Sequence, residues 1–150
     1  MTLDAAGDLL IADTANYVVR FVPVTSGTYF GQSMSADDIY TIAGTGTSGY
    51  SGNGGPATSA KFANVLDATL DVSGNVLIVD SGNDYVRFLP RTPGEFYGQL
   101  MTANDIYTIV GEGASNDLNR DGFRVDQCSS ILSNLHAGAQ SARPLGCMSP

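Results

Sequence analysis

"TLDAAGDLLIADTANYVVRFV" (residues 2–22) recurs 67 positions later as "TLDVSGNVLIVDSGNDYVRFL" (residues 69–89). The similarity continues without gaps to residues 46 and 113, and 25 of the 45 aligned pairs are identical. Self-similarity at a fixed spacing is the signature of a repeat architecture. We therefore predict two related units, residues 1–46 and 67–113, joined by a glycine-rich connector, residues 47–66.

Each unit is predicted to form four short antiparallel strands, so the predicted fold class is all-β. The second strands, "LLIAD" and "VLIVD", are apolar at successive positions, which indicates burial on both faces. The third strands, "YVVRFV" and "YVRFLP", end at prolines, which cannot donate to a strand ladder. The fourth strands are "IYTIAG" and "IYTIVG". A polar insert, about residues 24–38 and 91–105, separates the third strand from the fourth in each unit.

The stretch "GTGTSG" (residues 44–49) spells G-x-G-x-x-G after a strand-like run. A dinucleotide-binding loop needs a helix that opens at these glycines, because the helix N-terminus holds the pyrophosphate. Here the chain continues through Gly52, Gly54, Gly55 and Pro56, which do not favour a helix. We predict that the glycines turn a corner between two sheets and bind no nucleotide.

Charge and hydropathy narrow the classes of partner. The net charge is −8, which argues against nucleic acid and against an anionic membrane surface, since both need clustered basic residues. No apolar run approaches the roughly 20 residues of a membrane-spanning helix. The N-terminus shows no secretion signal, and the two cysteines define no redox compartment, so the localisation is left open.

The stretches "GDLLIADTANYVVRFV" (residues 7–22) and "GTGTSGYSGNGGPATSAKF" (residues 44–62) resemble bacterial NHL-repeat proteins over about 115 residues. The family builds β-propellers from four-stranded blades, so the resemblance implies two such blades in an incomplete propeller. It also implies that Asp13 and Asn16 shape the turn between the second and third strands, and that Arg20 occupies the usual basic position. The chain departs from the family pattern at Tyr17 and Val18.

Two blades are too few to cover their own apolar faces, because stacked repeats generally need about three units. The expectation is therefore self-association into a ring, or further blades in a longer parent protein. The resemblance implies a non-enzymatic binding or scaffold module for a protein or other ligand, with the inserts as the variable contact surface. Two alternatives stay open: a fragment of a lyase-type or lactonase-type propeller enzyme, and a calcium-stabilised structural repeat protein.

Catalytic and metal-binding residues are sparse. The single histidine, His136, cannot supply a metal triad or an acid–base pair. Asp117, Asn119 and Asp121 match the start of a calcium loop, D-x-N-x-D-G, but Cys128 stands where a bidentate Glu belongs. No catalytic residue and no cofactor is predicted, and Ca²⁺ is the one ion for which a partial motif exists.

Aromatic pairs in the two inserts are the candidate binding residues. Tyr29 and Phe30 lie in the first insert, and Phe96 and Tyr97 take the matching places in the second. These rings could form a recognition surface, or they could fold back over the edge of their own unit.

Residues 114–150 abandon the repeat where another connector is due, and we predict an irregular, poorly ordered tail. Shifting a family connector by one nucleotide yields "DQC" and "LSNL", which occur at residues 126–128 and 132–135. This suggests a connector read out of frame, which the underlying nucleotide sequence would test.

Overall fold

The computed structural model describes residues 1–111, which form an all-β structure. The strands of the first unit are β1 (Thr2–Leu3), β2 (Leu9–Asp13), β3 (Val18–Val22), β4 (Gly27–Tyr29), β5 (Gln32–Met34) and β6 (Tyr40–Ala43). Those that follow are β7 (Gly55–Pro56), β8 (Val65–Leu70), β9 (Val76–Asp80), β10 (Tyr85–Leu89), β11 (Gly94–Phe96), β12 (Gln99–Met101) and β13 (Asp105–Val110). Short 3₁₀ turns span Thr14–Asn16 and Ala57–Ser59.

The strands pair antiparallel in two principal sheets. The first has the order β1-β2-β3-β6, and the second has the order β7-β13-β10-β9-β8. Within residues 1–111 the second sheet therefore has five strands rather than the predicted four, because Gly55–Pro56 of the connector pairs with β13. Each insert forms a separate two-stranded hairpin, β4–β5 in the first unit and β11–β12 in the second.

The two sheets pack on each other through opposite faces of the duplicated unit. In the first sheet, Leu10 lies opposite Phe21, and this face enters the main core. In the second sheet, the face of Ile78 and Leu70 enters the same core. Ile78 is equivalent in the repeat to Ile11, which lies on the other, half-exposed face of the first sheet. The sheets are thus stacked in the same sense, each presenting a different face to the shared core.

Because of this stacking, the second strands of the two units, β2 and β9, differ in burial. All five residues of β9 are buried, as the sequence predicts. In β2 only Leu10 is fully buried, so the prediction of burial on both sides is wrong for the first unit. The reason is that β9 has apolar side chains packed on both faces, with Leu77 and Val79 in a second cluster that includes Phe88 and Met101.

The glycine stretch, residues 44–49, is irregular and is held by backbone hydrogen bonds to residues 57–62. Gly44 N–H donates to the carbonyl of Ala57 at 2.9 Å, and Gly49 N–H donates to that of Phe62 at 3.1 Å. No helix opens at residues 44–49, so the helix N-terminus that a dinucleotide-binding loop requires does not follow these glycines. Phe62 and Ala60 then enter the main core with no exposed surface.

The predictions for the tail and for Asp117, Asn119, Asp121 and His136 concern positions outside the described residues. Among residues 1–111, no helix has the length and apolar character needed to cross a membrane.

Candidate functional site

The aromatic pair of the first insert packs onto its own sheet. The Tyr29 and Phe30 rings lie 5.3 Å and 5.2 Å from the ring of Phe21, measured between centroids. Phe30 is buried, and the Tyr29 hydroxyl bonds with Thr25. This pair therefore folds back over its own unit, which is one of the two arrangements that the sequence allows.

The pair in the second insert has the same arrangement but remains more accessible. Phe96 and Tyr97 lie 5.1 Å and 5.3 Å from Phe88. Tyr97 is 48% exposed, whereas its repeat equivalent, Phe30, is 7% exposed. The two predicted pairs therefore pack on equivalent phenylalanines but differ in how much of their surface the rest of the chain covers.

Both pairs are placed by two-residue hairpin turns of unusual composition. The turns are Phe30-Gly31 and Tyr97-Gly98, with φ angles of 48° and 72° in the first and 52° and 74° in the second. Positive φ at both central residues is the pattern of a type I′ turn, which favours Asn-Gly. A bulky aromatic residue with left-handed φ costs about 1–2 kcal/mol, so its packing must offset strain.

An arginine of the second unit covers the aromatic pair of the first. The Arg91 guanidinium carbon lies 5.3 Å from the Tyr29 ring centroid and 6.0 Å from that of Phe30. The residue equivalent to Arg91 in the first unit is Val24, so this contact has no counterpart within that unit. Arg91 also lines a cleft of about 390 Å³ between the equivalent turns that begin at Asp4 and Asp71.

We expect a double-mutant cycle on Arg91 and Tyr29, with Arg91→Met and Tyr29→Leu, to give a coupling of about 0.5–1 kcal/mol, as for exposed cation–π pairs. Urea denaturation of the four proteins provides the measurement. Arg91→Met paired with Phe96→Leu serves as the control and should give additive losses. Equal couplings in the two cycles would contradict a specific contact between Arg91 and Tyr29.

A second cluster surrounds Arg87, which is fully buried. Its Nη2 donates to the carbonyl of Ser51 at 3.2 Å, and its guanidinium carbon lies 4.9 Å from the Tyr50 ring centroid and 5.7 Å from that of Phe62. Tyr50 stacks on Tyr85 at 4.5 Å. Among the described residues, Nε and Nη1 of Arg87 have no hydrogen-bond partner.

Asp80 lies near this guanidinium and organises the connector. Its Oδ1 accepts hydrogen bonds from the backbone N–H groups of Ala63 and Asn64, and its Oδ2 accepts one from Asn83 Nδ2 at 2.7 Å. Burial raises the pKa of Asp80, while these donors and Arg87 act in the opposite direction. Burial also disfavours the charged form of Arg87, and it therefore lowers the pKa of that side chain.

The equivalent pair in the first unit is open to solvent. Arg20 Nε lies 3.2 Å from Asp13 Oδ2, with side chains 31% and 25% exposed. Arg20 Nη1 donates to Thr41 Oγ1 at 2.7 Å. Asp13 also accepts a hydrogen bond from Asn16, in the turn between β2 and β3. Within residues 1–111 the aromatic cover that Tyr50 and Phe62 supply to Arg87 has no counterpart over Arg20.

Sequence reasoning identified the aromatic pairs but missed the cover on Arg87 and the contact of Arg91 with Tyr29. Both contacts join parts of the chain that no local motif relates. The one sequence feature that pointed to the cover on Arg87 was the pair of aromatic residues in the connector, Tyr50 and Phe62.

The described residues hold no group of three or more His, Cys, Asp and Glu side chains placed to bind a metal ion. No protein-family model matches this sequence, and no curated protein matches it either.

Proposed function

We propose that this chain is a stackable pair of NHL-type propeller blades that acts as a non-enzymatic scaffold and displays its insert hairpins to a binding partner. One observation carries the proposal. The first sheet contributes the face of Leu10 and the second contributes the face of Ile78, so the two units stack in the same sense. Units that stack in this way can add further units at either end, as repeat proteins do.

The open face of the first sheet supports the same interpretation. Ile11, Arg20 and Thr41 lie side by side on it, at the positions equivalent to Ile78, Arg87 and Thr108. In the second unit the equivalent arginine is covered by the connector, through Tyr50 and Ser51. An added unit that carries its own connector would cover Arg20 by the same contacts.

The insert hairpins support a role in display. Each pairs only within itself among residues 1–111 and stands outside the two principal sheets. Binding residues are commonly carried on loops that a rigid scaffold positions. Phe96 and Tyr97, which pack on Phe88, are positioned in this sense.

Placing an extra copy of residues 1–68 ahead of Thr2 tests the stacking. The connector of the added unit then precedes the original first unit, and we expect the thermal midpoint to rise by several degrees, since each kcal/mol shifts it by about 2–8 °C. The rise should shrink when the added copy carries Tyr50→Ala, because the cover over Arg20 is then incomplete. An unchanged or lower midpoint would contradict the proposed stacking.

A further inference from the structure

We propose that Phe96 and Tyr97, at the tip of the hairpin β11–β12, bind an arginine side chain presented by a partner protein. This deepens the proposed function, on whose display role for the inserts it rests. The surface is defined by these two rings.

The chain contains its own example of the bound state. In the first unit the equivalent pair, Tyr29 and Phe30, receives the guanidinium of Arg91 at 5.3 Å and 6.0 Å. The backbone of the two turns matches, with φ of 48° at Phe30 and 52° at Tyr97. Each pair also packs on the equivalent phenylalanine of its own sheet, Phe21 or Phe88. Two surfaces of the same construction are expected to accept the same kind of group.

The second surface differs from the first in lacking its cation. Within residues 1–111 no arginine or lysine lies over Phe96 or Tyr97, and Tyr97 keeps 48% of its surface exposed. The strain of its left-handed backbone is therefore offset by less burial than at Phe30. Strained residues that packing does not fully explain concentrate at binding sites.

Net charge favours a cationic partner. Partial burial and the negative charge of Asp71 raise the pKa of the Tyr97 hydroxyl. The chain as a whole carries a net charge of −8, which attracts basic partners over longer distances. Arginine fits better than lysine because its flat guanidinium stacks on an aromatic face.

The test uses the full chain and a capped peptide, Gly-Arg-Gly-Arg-Gly, titrated while the aromatic ring resonances are followed by NMR. We expect saturable shifts at Phe96 and Tyr97, and no such shifts with a peptide in which citrulline replaces arginine. Tyr97→Asn should weaken the interaction about two- to fivefold, the factor for one exposed cation–π contact. Tyr97→Phe keeps the ring and should retain binding.

Tyr97→Asn suits this test because asparagine favours the left-handed position of a type I′ turn, so the fold should be kept. Equal shifts in Tyr97→Asn and the unaltered chain would overturn the proposal, as would equal shifts with the citrulline peptide or none with arginine. If the chain does not bind the arginine peptide but the added unit raises the thermal midpoint, this inference is refuted and the proposed stacking stands. If the chain binds the peptide but the added unit does not raise the midpoint, only the stacking is refuted.

Discussion

Gly44→Ala is expected to lower the free energy of unfolding by about 3 kcal/mol, from left-handed strain and overpacking together. Gly44 has a φ of +96°, and a Cβ built there would collide with the backbone carbonyl oxygen of Tyr17 and crowd Val18. Backbone atoms cannot rotate away as the end of a side chain can. The Gly44 N–H also holds the connector through the Ala57 carbonyl, so any shift there is transmitted to the core.

Gly54→Ala is the matched control for this change. Gly54 also has a positive φ, +76°, but its added Cβ would meet nothing within 4 Å. Only the conformational cost should appear, about 1 kcal/mol. Urea denaturation followed by circular dichroism gives both values, and equal losses would show that the close approach of Gly44 to Tyr17 contributes nothing. The repeat adds an internal check, because Gly111 meets the carbonyl of Asp84 in the same way.

The duplication explains why much of the fold was predictable. The second strands begin and end where the apolar runs do, at Leu9–Asp13 and Val76–Asp80. Positions 67 residues apart also share left-handed backbone, as at Tyr17 and Asp84 or at Asp37 and Asn104. Local side-chain pattern and turn chemistry determine these features, so one unit predicts the other.

What the sequence could not predict depends on neighbours rather than on local pattern. Arg20 and Arg87 occupy the same place in two similar strands, yet one is partly exposed and the other fully buried. The short strand Gly55–Pro56 also escaped prediction, because glycine and proline are depleted in strands and carry no strand signal. The same limit applies to the candidate site. Tyr29 was predicted as a candidate from its insert, but Arg91 was not, because their contact joins one unit to the other.

Asp80→Ala is expected to be the most destabilising of these substitutions, at about 3–5 kcal/mol, the cost of removing one partner from a buried charged arrangement. Asp80 has no exposed surface and accepts hydrogen bonds from three donors, those of Ala63, Asn64 and Asn83. Its loss would leave those N–H groups without an acceptor. It would also leave the buried guanidinium of Arg87 without the neighbouring negative charge.

Asp13→Ala provides the matched control, because Asp13 is the repeat equivalent of Asp80 and is partly exposed. Within residues 1–111 its carboxylate bonds only with Asn16 and Arg20, which water can solvate after the substitution, so we expect a loss of about 1 kcal/mol or less. The denaturation midpoints of the two variants, measured in the same buffer, make the comparison. Similar losses would mean that solvent reaches Asp80 as it reaches Asp13, and that the connector does not seal the second sheet. If the loss for Asp80→Ala is at least about fourfold larger than that for Asp13→Ala, stacking rather than local sequence determines how much this carboxylate stabilises the fold.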